Sequence, residues 1–134
     1  MKNDPLVSVI MPAFNVKRYV GDAIESILNQ TYQNFELLIA DDGSTDSTWR
    51  IVNSYSSNKI KAFRFKRNIG AFPRANFLFS KARGKFLAVM DGDDIAKSDR
   101  IEKQINFMCQ HPKIMVLGSQ AEIINENGEI IGWK

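Results

Sequence analysis

Cysteine is nearly missing from this chain: Cys109 stands alone. A single cysteine excludes an intramolecular disulfide and fits a reducing, cytosolic setting. Histidine is equally scarce, with His111 the only one, so no His/Cys set for zinc exists. No apolar run approaches the ~20 residues of a membrane span. The amino terminus, "MKNDPLVSVIMPAF", carries one Lys before a short apolar stretch that reads as a strand, not a signal peptide. The phosphate-loop pattern G-x-x-x-x-G-K-[ST] is absent, since Gly84-Lys85 is followed by Phe86. No G-x-G-x-x-G follows the first apolar run, which argues against a dinucleotide cofactor. A calcium loop counted from Asp91 fails on spacing, with Ile95 at position five and Ala96 at position six. Internal repeats, low-complexity segments and flexible linkers are lacking too.

What remains is a chain of 134 residues, 44% hydrophobic and 25% charged. That suits one soluble globular domain over residues 1–134 with a real core. The net charge is +3. Part of the excess is local, because Lys59, Lys61, Arg64, Lys66 and Arg67 fall within nine residues. Such a run attracts phosphate or an anionic membrane, although a solvated strand edge and loop explains it as well.

Strands and helices alternate along the sequence. "LVSVIMP" (6–12) is a short apolar run stopped by Pro12. In "YVGDAIESILNQ" (19–30), Val20, Ala23, Ile24, Ile27 and Leu28 share one helical face. "FELLIAD" (35–41) reads as a second buried strand. "STDSTWRIVNSYS" (44–56) opens with helix-capping residues, Ser44 or Thr45 being the expected cap. "IKAFRF" (60–65) alternates as a half-exposed strand. "RANFLFSKA" (74–82) predicts a helix ending near Gly84. "KFLAVMD" (85–91) is a fourth strand, and "DRIEKQINFMCQH" (99–111) a helix with Ile101, Ile105, Met108 and Cys109 on one stripe. "IMVLG" (114–118) predicts a fifth strand. "EIINENGEIIG" (122–132) predicts a hairpin with a type I′ turn at Asn127-Gly128. The aromatic set Phe63, Phe65, Phe72, Phe77 and Phe79 reads as core, with a lipid-facing patch as the lesser reading. Apolar strands alternating with amphipathic helices mean a largely parallel sheet covered on both faces. The chain ends at Lys134 directly after the hairpin, which reads as part of a larger domain with an exposed sheet edge, open to self-association.

In open parallel sheets, ligands bind outside the carboxyl ends of the strands. Those ends here carry Pro12-Ala13-Phe14-Asn15, Asp41-Asp42-Gly43-Ser44, Asn68 with Gly70, and Asp91-Gly92-Asp93-Asp94. Five carboxylates near one mouth exceed what turns require. Asp41 and Asp42 suit hydrogen bonds from a base N–H or ribose hydroxyls, and Phe14 suits an aromatic wall. Gly43 and Gly70 permit close backbone approach. "AVMDGDD" (88–94) drives a strand into three acids whose mutual repulsion a cation would relieve. Oxygen-only ligands suit Mg²⁺ or Mn²⁺, which keeps waters and phosphates as its other ligands.

The pieces "VSVIMPAFN" (7–15), "AIESILNQTYQNFELLIADDGSTDST" (23–48), "NIG" (68–70), "ARGKFLAVMDGDD" (82–94) and "DRIEKQ" (99–104) resemble the family 2 glycosyltransferases. In that order and spacing they are highly specific. The resemblance implies a GT-A fold, a Rossmann-like three-layer α/β/α sandwich, with mixed strand direction in its later part. It implies that Asp42 contacts a nucleotide base, that Pro12, Ala13 and Phe14 help form the base pocket, and that Asp91 and Asp93 are a D-x-D pair with Asp93 the metal ligand. Asp94 then orients that pair. The implied donor is a nucleotide-diphosphate sugar, most often UDP-linked, with Mn²⁺ or Mg²⁺. The implied acceptor is a saccharide or a lipid-linked saccharide.

Substrate-binding candidates are thus Pro12, Ala13, Phe14, Asn15, Asp41, Asp42, Asn68, Gly70, Arg74, Asp91 and Gly92. Metal candidates are Asp93 and Asp91. "NIGAFPRAN" departs from the family's N-x-G-x-x-x-A-R-N by swapping Arg74 and Ala75; Arg74 is kept as a phosphate candidate. The family's catalytic base lies well beyond the D-x-D turn, and this chain ends 40 residues after Asp94. The base is therefore expected beyond residue 134, and Glu122, Glu126 and Glu129 are assigned no such role. The chain alone is expected to bind nucleotide with little or no transfer. The implied reaction is inverting sugar transfer in polysaccharide or glycoconjugate synthesis, in the cytoplasm or at the inner face of the membrane. Two other readings compete: a non-catalytic nucleotide-sugar module acting beside another chain, and a basic module docking through 59–67 on membrane or nucleic acid. Nucleic acid is not expected as a partner of the first reading.

Overall fold

A computed structural model of the protein describes residues 4–134. Every residue of Val7–Ala13 (β1) and Phe35–Asp41 (β2) is buried, as strands covered on both faces require. They pair in parallel from Val7 opposite Phe35 to Ala13 opposite Asp41. Ile60–Arg64 (β3) adds to the outer side of β2, and Phe86–Val89 (β4) to the outer side of β1, both parallel. The order is β3-β2-β1-β4. β1 runs through Pro12 instead of stopping there. The β4 ladder reaches only Val89 opposite Ile10, with Met90 N donating to Ile10 O, so the N–H that Pro12 lacks has no ladder to serve.

Strand order sets the layers. The chain steps from β1 to β2 to β3 in one direction, then returns past β1 to β4. Right-handed crossovers therefore put Val20–Leu28 (α1) and Thr48–Val52 (α2) on one face and Ala71–Lys81 (α3) on the other. On the α3 face, Ile10, Leu38 and Ala40 pack with Ala75 and Leu78, flanked by Phe63, Phe65 and Phe77. The Phe77 ring meets Phe63 and Phe65 edge-on at 5.1 Å each. Val9, Met11, Leu37 and Ile39 alternate to the opposite face, where α1 buries Val20, Ala23, Ile24 and Ile27. Gln30 ties the end of α1 to the chain after β4: its amide donates to Lys97 O at 2.7 Å and accepts from Ile101 N at 3.0 Å.

Phe72 and Phe79 depart from the expected aromatic core, standing 87% and 36% exposed. The helix is three residues longer at its start than expected, and Arg74, Ala75 and Leu78 take its inward face, which turns these two rings outward.

The described residues fall into two compact units, one ending at Lys103 and one comprising Gln104–Lys134; the boundary lies inside Arg100–Gln110 (α4). In the second unit, Glu122–Ile124 (β5) and Ile130–Trp133 (β6) pair antiparallel with a register shift at Ile123/Ile124. This is the hairpin foreseen, but its turn is not type I′. Only Gly128 takes positive φ (81°), and Gly128 N donates to Asn125 O, so Asn125–Gly128 turns with a left-handed glycine at its end and the strand bulges there. The segment 114–118 forms no strand; Met115 and Val116 are exposed. An apolar run becomes a strand only when a neighbour supplies a ladder, and among the described residues none does. The first unit's sheet is parallel throughout, so the mixed direction implied by the family resemblance is not found within it. Cys109 is exposed, off the buried stripe begun by Ile101 and Ile105. No helix of the described residues is long and apolar enough to cross a membrane.

Candidate active site

The reversal between β1 and β4 makes a topological switch point, where parallel sheets open a crevice outside their carboxyl ends. The acidic turn lies there. Gly92 is buried against the end of β1: a Cβ on it would stand 3.1 Å from Ala13 Cβ and 3.3 Å from Pro12 O. Asp91, Asp93 and Asp94 remain exposed, and Asp94 N closes the turn onto Asp91 O at 3.2 Å. A buried glycine between exposed acids thus anchors the turn while its carboxylates face outward. Arg100, to which the sequence pointed only through the string "DRIEKQ", supports it. Its guanidinium donates to Val89 O at 3.0 Å, at the end of β4. Burial lowers its pKa and the Asp94 charge opposes that shift.

The two adjacent acids after β2 have different surroundings. Asp42 is 2% exposed and accepts from Ile69 N at 3.1 Å, from Gly70 N at 2.8 Å and from the Arg74 guanidinium. Arg74 also donates to Arg67 O at 2.8 Å and lies 3.6 Å over the Phe65 ring. Arg74 therefore points inward, to Asp42 and the backbone of the loop after β3. Asp41 is fully buried. Its Oδ1 accepts weakly from Ser44 N at 3.3 Å; its Oδ2 has no hydrogen-bond partner, and Arg64 Nε stands 3.8 Å away. A buried acceptor left unpaired costs about 1–3 kcal/mol.

The loop after β1 is stitched to the loop after β2. Asn15 takes φ 51°, tolerated by Asn, and its Oδ1 accepts from Thr45 N at 2.9 Å and Asp46 N at 3.3 Å. Asn15 N donates to Ser44 Oγ at 3.0 Å, and Val16 N to Thr48 Oγ1 at 2.9 Å. Neither Ser44 nor Thr45 caps α2: its N-cap position is Ser47, which makes no side-chain cap bond, and Asp46 Oδ1, one residue earlier, accepts from Thr48 N at 2.8 Å. Burial raises the Asp46 pKa, but hydrogen bonds from Thr48 and Lys17 outweigh it, leaving a net lowering. Phe14 is 43% exposed beside these loops. Gly43 (φ 74°) lies so close to the loop after β3 that a Cβ would be 2.9 Å from Arg67 C and Asn68 N. Pro12, Ala13, Asp41, Asp42, Gly70, Arg74 and Gly92 are thus drawn together at one end of the sheet, with Phe14, Asn68, Asp91 and Asp93 exposed around them.

The acidic turn offers oxygen ligands only. Among the described residues no three His, Cys, Asp or Glu side chains form a group able to hold a metal. Oxygen donors are the ligands that Mg²⁺ and Mn²⁺ take, with water and phosphate oxygens for the rest.

The model of glycosyl transferase family 2 matches residues 8–132. The chain is 38% identical over 130 residues to the UDP-Glc:alpha-D-GlcNAc-diphosphoundecaprenol beta-1,3-glucosyltransferase WfgD of Escherichia coli, covering 97% of this chain and 51% of that protein. Staphylococcus aureus TarS, solved in complex with UDP-GlcNAc, matches with a TM-score of 0.73 at 30% identity, over 79% of this chain and 32% of that one. The mannosyltransferase PcManGT of Pyrobaculum calidifontis, solved with GDP-Man and Mn²⁺, shares the fold with a TM-score of 0.71 at 20% identity, over 80% of this chain and 33% of that one. The chain spans about half the length of the curated relatives it matches. Its parallel sheet and helix layers are those of the GT-A fold, and the chain belongs to glycosyl transferase family 2.

Proposed function

We propose that residues 1–134 form one nucleotide-sugar-binding domain of a glycosyltransferase. The enzyme would transfer a sugar, with inversion, from a UDP-linked donor to a hydroxyl of a saccharide or lipid-linked acceptor. The observation that carries this reading is the acidic turn fixed by Gly92 over the end of β1, at the switch point of the sheet. WfgD, by its name, uses UDP-Glc and a diphosphoundecaprenol-linked acceptor, and TarS binds UDP-GlcNAc; both favour this donor class.

In this reading the base lies against Phe14 and the Pro12–Asn15 segment. Asp41 Oδ2, buried and unpartnered, takes a hydrogen bond from the base or ribose. Asp42 reads the base at the cost of one internal donor, while Arg74, Asn68 and Gly70 shape the wall behind it. Asp91 and Asp93 would hold Mn²⁺ or Mg²⁺, which would supply Lewis-acid stabilisation of the departing diphosphate. The acceptor hydroxyl oxygen attacks the anomeric carbon, the bond from that carbon to the diphosphate oxygen breaks, and the hydroxyl proton passes to a general base to which none of the residues named here is assigned. The reaction belongs to polysaccharide or glycoconjugate synthesis in the cytoplasm.

Calorimetric titration of UDP with and without Mn²⁺, repeated on Asp93→Ala, tests the reading. Binding is expected only with metal, and at least about tenfold weaker in the variant, with unchanged thermal melting because Asp93 is exposed. A folded protein that binds none of UDP, GDP or dTDP with metal present, or an Asp93→Ala variant that binds as wild type, overturns it.

A further inference from the structure

Residues 47–90 contain no Asp or Glu, yet hold ten of the chain's eighteen Lys and Arg. This span covers α2, β3, α3 and β4. Several of its cations are used internally: Arg74 on Asp42, Arg83 on Glu36, Lys59 on Gln33. Arg50, Lys61, Lys66, Arg67, Lys81 and Lys85 remain exposed. The same span carries apolar side chains that the core does not absorb. Phe72 is 87% exposed, Ile69 48% and Phe79 36%. Phe72 and Phe79, seven residues apart, lie along one side of α3, at the border of the buried face made by Arg74, Ala75 and Leu78. Lys66, Arg67 and Ile69 lead directly into that helix.

Within 66–72, an exposed ring and an aliphatic side chain follow two exposed cations with no acid among them, the composition of a surface that lies in an anionic bilayer interface. Lys and Arg meet headgroup phosphates there, and Phe and Ile enter the acyl boundary. Single-stranded nucleic acid calls for a cationic groove with stacking platforms. Phe72 is instead 87% exposed, three residues after the exposed aliphatic Ile69.

We propose that the loop 65–70 and the outer side of α3 dock on an anionic lipid bilayer, with Lys66 and Arg67 on the phosphates and Ile69 and Phe72 inserted. The amides of Ile69 and Gly70 hold the Asp42 carboxylate, so docking brings the candidate site to the membrane surface.

Flotation of the full chain with vesicles of phosphatidylcholine, alone and with phosphatidylglycerol, tests the proposal. Binding is expected only with the anionic lipid and falls as salt rises. Each exposed cation contributes roughly fivefold, so Lys66→Glu with Arg67→Glu lowers binding by more than about tenfold. Phe72→Ser lowers it several-fold while salt sensitivity stays. Equal flotation on phosphatidylcholine, no flotation, or wild-type flotation by both variants overturns the proposal. So does tighter binding of a single-stranded oligonucleotide at the same salt that is lost in the same variants. UDP titration of the Lys66→Glu/Arg67→Glu protein keeps the two readings separate: retained nucleotide binding with lost flotation isolates the docking surface.

Discussion

Arg74 and Glu36 show what single side chains do at the two ends of the sheet. Arg74 is 9% exposed and is the cation paired with the buried Asp42. Its replacement by Ala leaves a buried carboxylate without its countercharge, expected to cost about 3–5 kcal/mol in denaturant unfolding. Lys at this position should recover only part of that, because it lacks the fork that reaches both Asp42 and Arg67 O; full recovery would show that charge alone matters. At the opposite end, Glu36 accepts from Ser8 Oγ at 2.7 Å, from Arg83 N at 2.8 Å and from the Arg83 guanidinium at 2.8 and 2.9 Å. Burial raises its pKa, but these hydrogen bonds and the Arg83 charge outweigh that, and the pKa is lowered. The unfolded chain therefore takes up this proton before the folded protein does. The stabilisation is complete above about pH 4.3, the ordinary Glu value, and is lost as pH falls through the lower folded value. Melting temperature followed from neutral to acid should drop along this limb in wild type. In Glu36→Gln the melting temperature should start lower, reflecting a stability loss of about 1–3 kcal/mol, and fall less. An equally steep acid limb in the variant would remove Glu36 from the acid response.

The connections between elements, more than the elements, assemble the site. Three loops meet at the strand ends, and Gly43 is the contact that lets two of them touch. Two glycines with similar dihedrals separate its roles. Gly128 (φ 81°) has nothing within 4 Å of a built Cβ, whereas Gly43 (φ 74°) would press its Cβ on the backbone of Arg67 and Asn68. Gly128→Ala should cost only the left-handed conformation, about 1–2 kcal/mol. Gly43→Ala should cost more and weaken UDP binding, since it parts the loop carrying Asp42 from the loop that donates to it. Equal melting losses for the two variants would show that the loop contact contributes nothing.

For the molecule as a whole, the open question of a four-stranded parallel sheet is its edges. The β3 edge carries exposed Lys61 and Arg64, charges that discourage pairing with another strand. The β4 edge exposes Leu87 at 50% and Val89 at 49%. Any self-association of this chain is thus expected through β4. Sedimentation velocity should show a mass that rises with concentration and stays monomeric in Leu87→Lys/Val89→Lys; a rise unchanged by both substitutions would assign association to another surface. Charge is also distributed unevenly along the chain, with no acid between residues 47 and 90 and three exposed acids in the turn at 91–94.

Much of this protein is legible in residue order. Seven consecutive buried positions in β1 and β2 announce themselves as apolar runs, and α1 as a stripe of Val20, Ala23, Ile24 and Ile27, because side-chain periodicity is a local rule. The pairing of Asp42 with Arg74, 32 positions away, the orphaned Oδ2 of Asp41, and the support of Val89 by Arg100 are not local, and no spacing rule announces them. The same holds for the outward turn of Phe72 and Phe79 and for the failure of 114–118 to become a strand: an apolar residue carries the same signal whether the fold offers it a neighbour or leaves it in water. Pattern decides which residues are able to be buried, and packing in three dimensions decides which of them are.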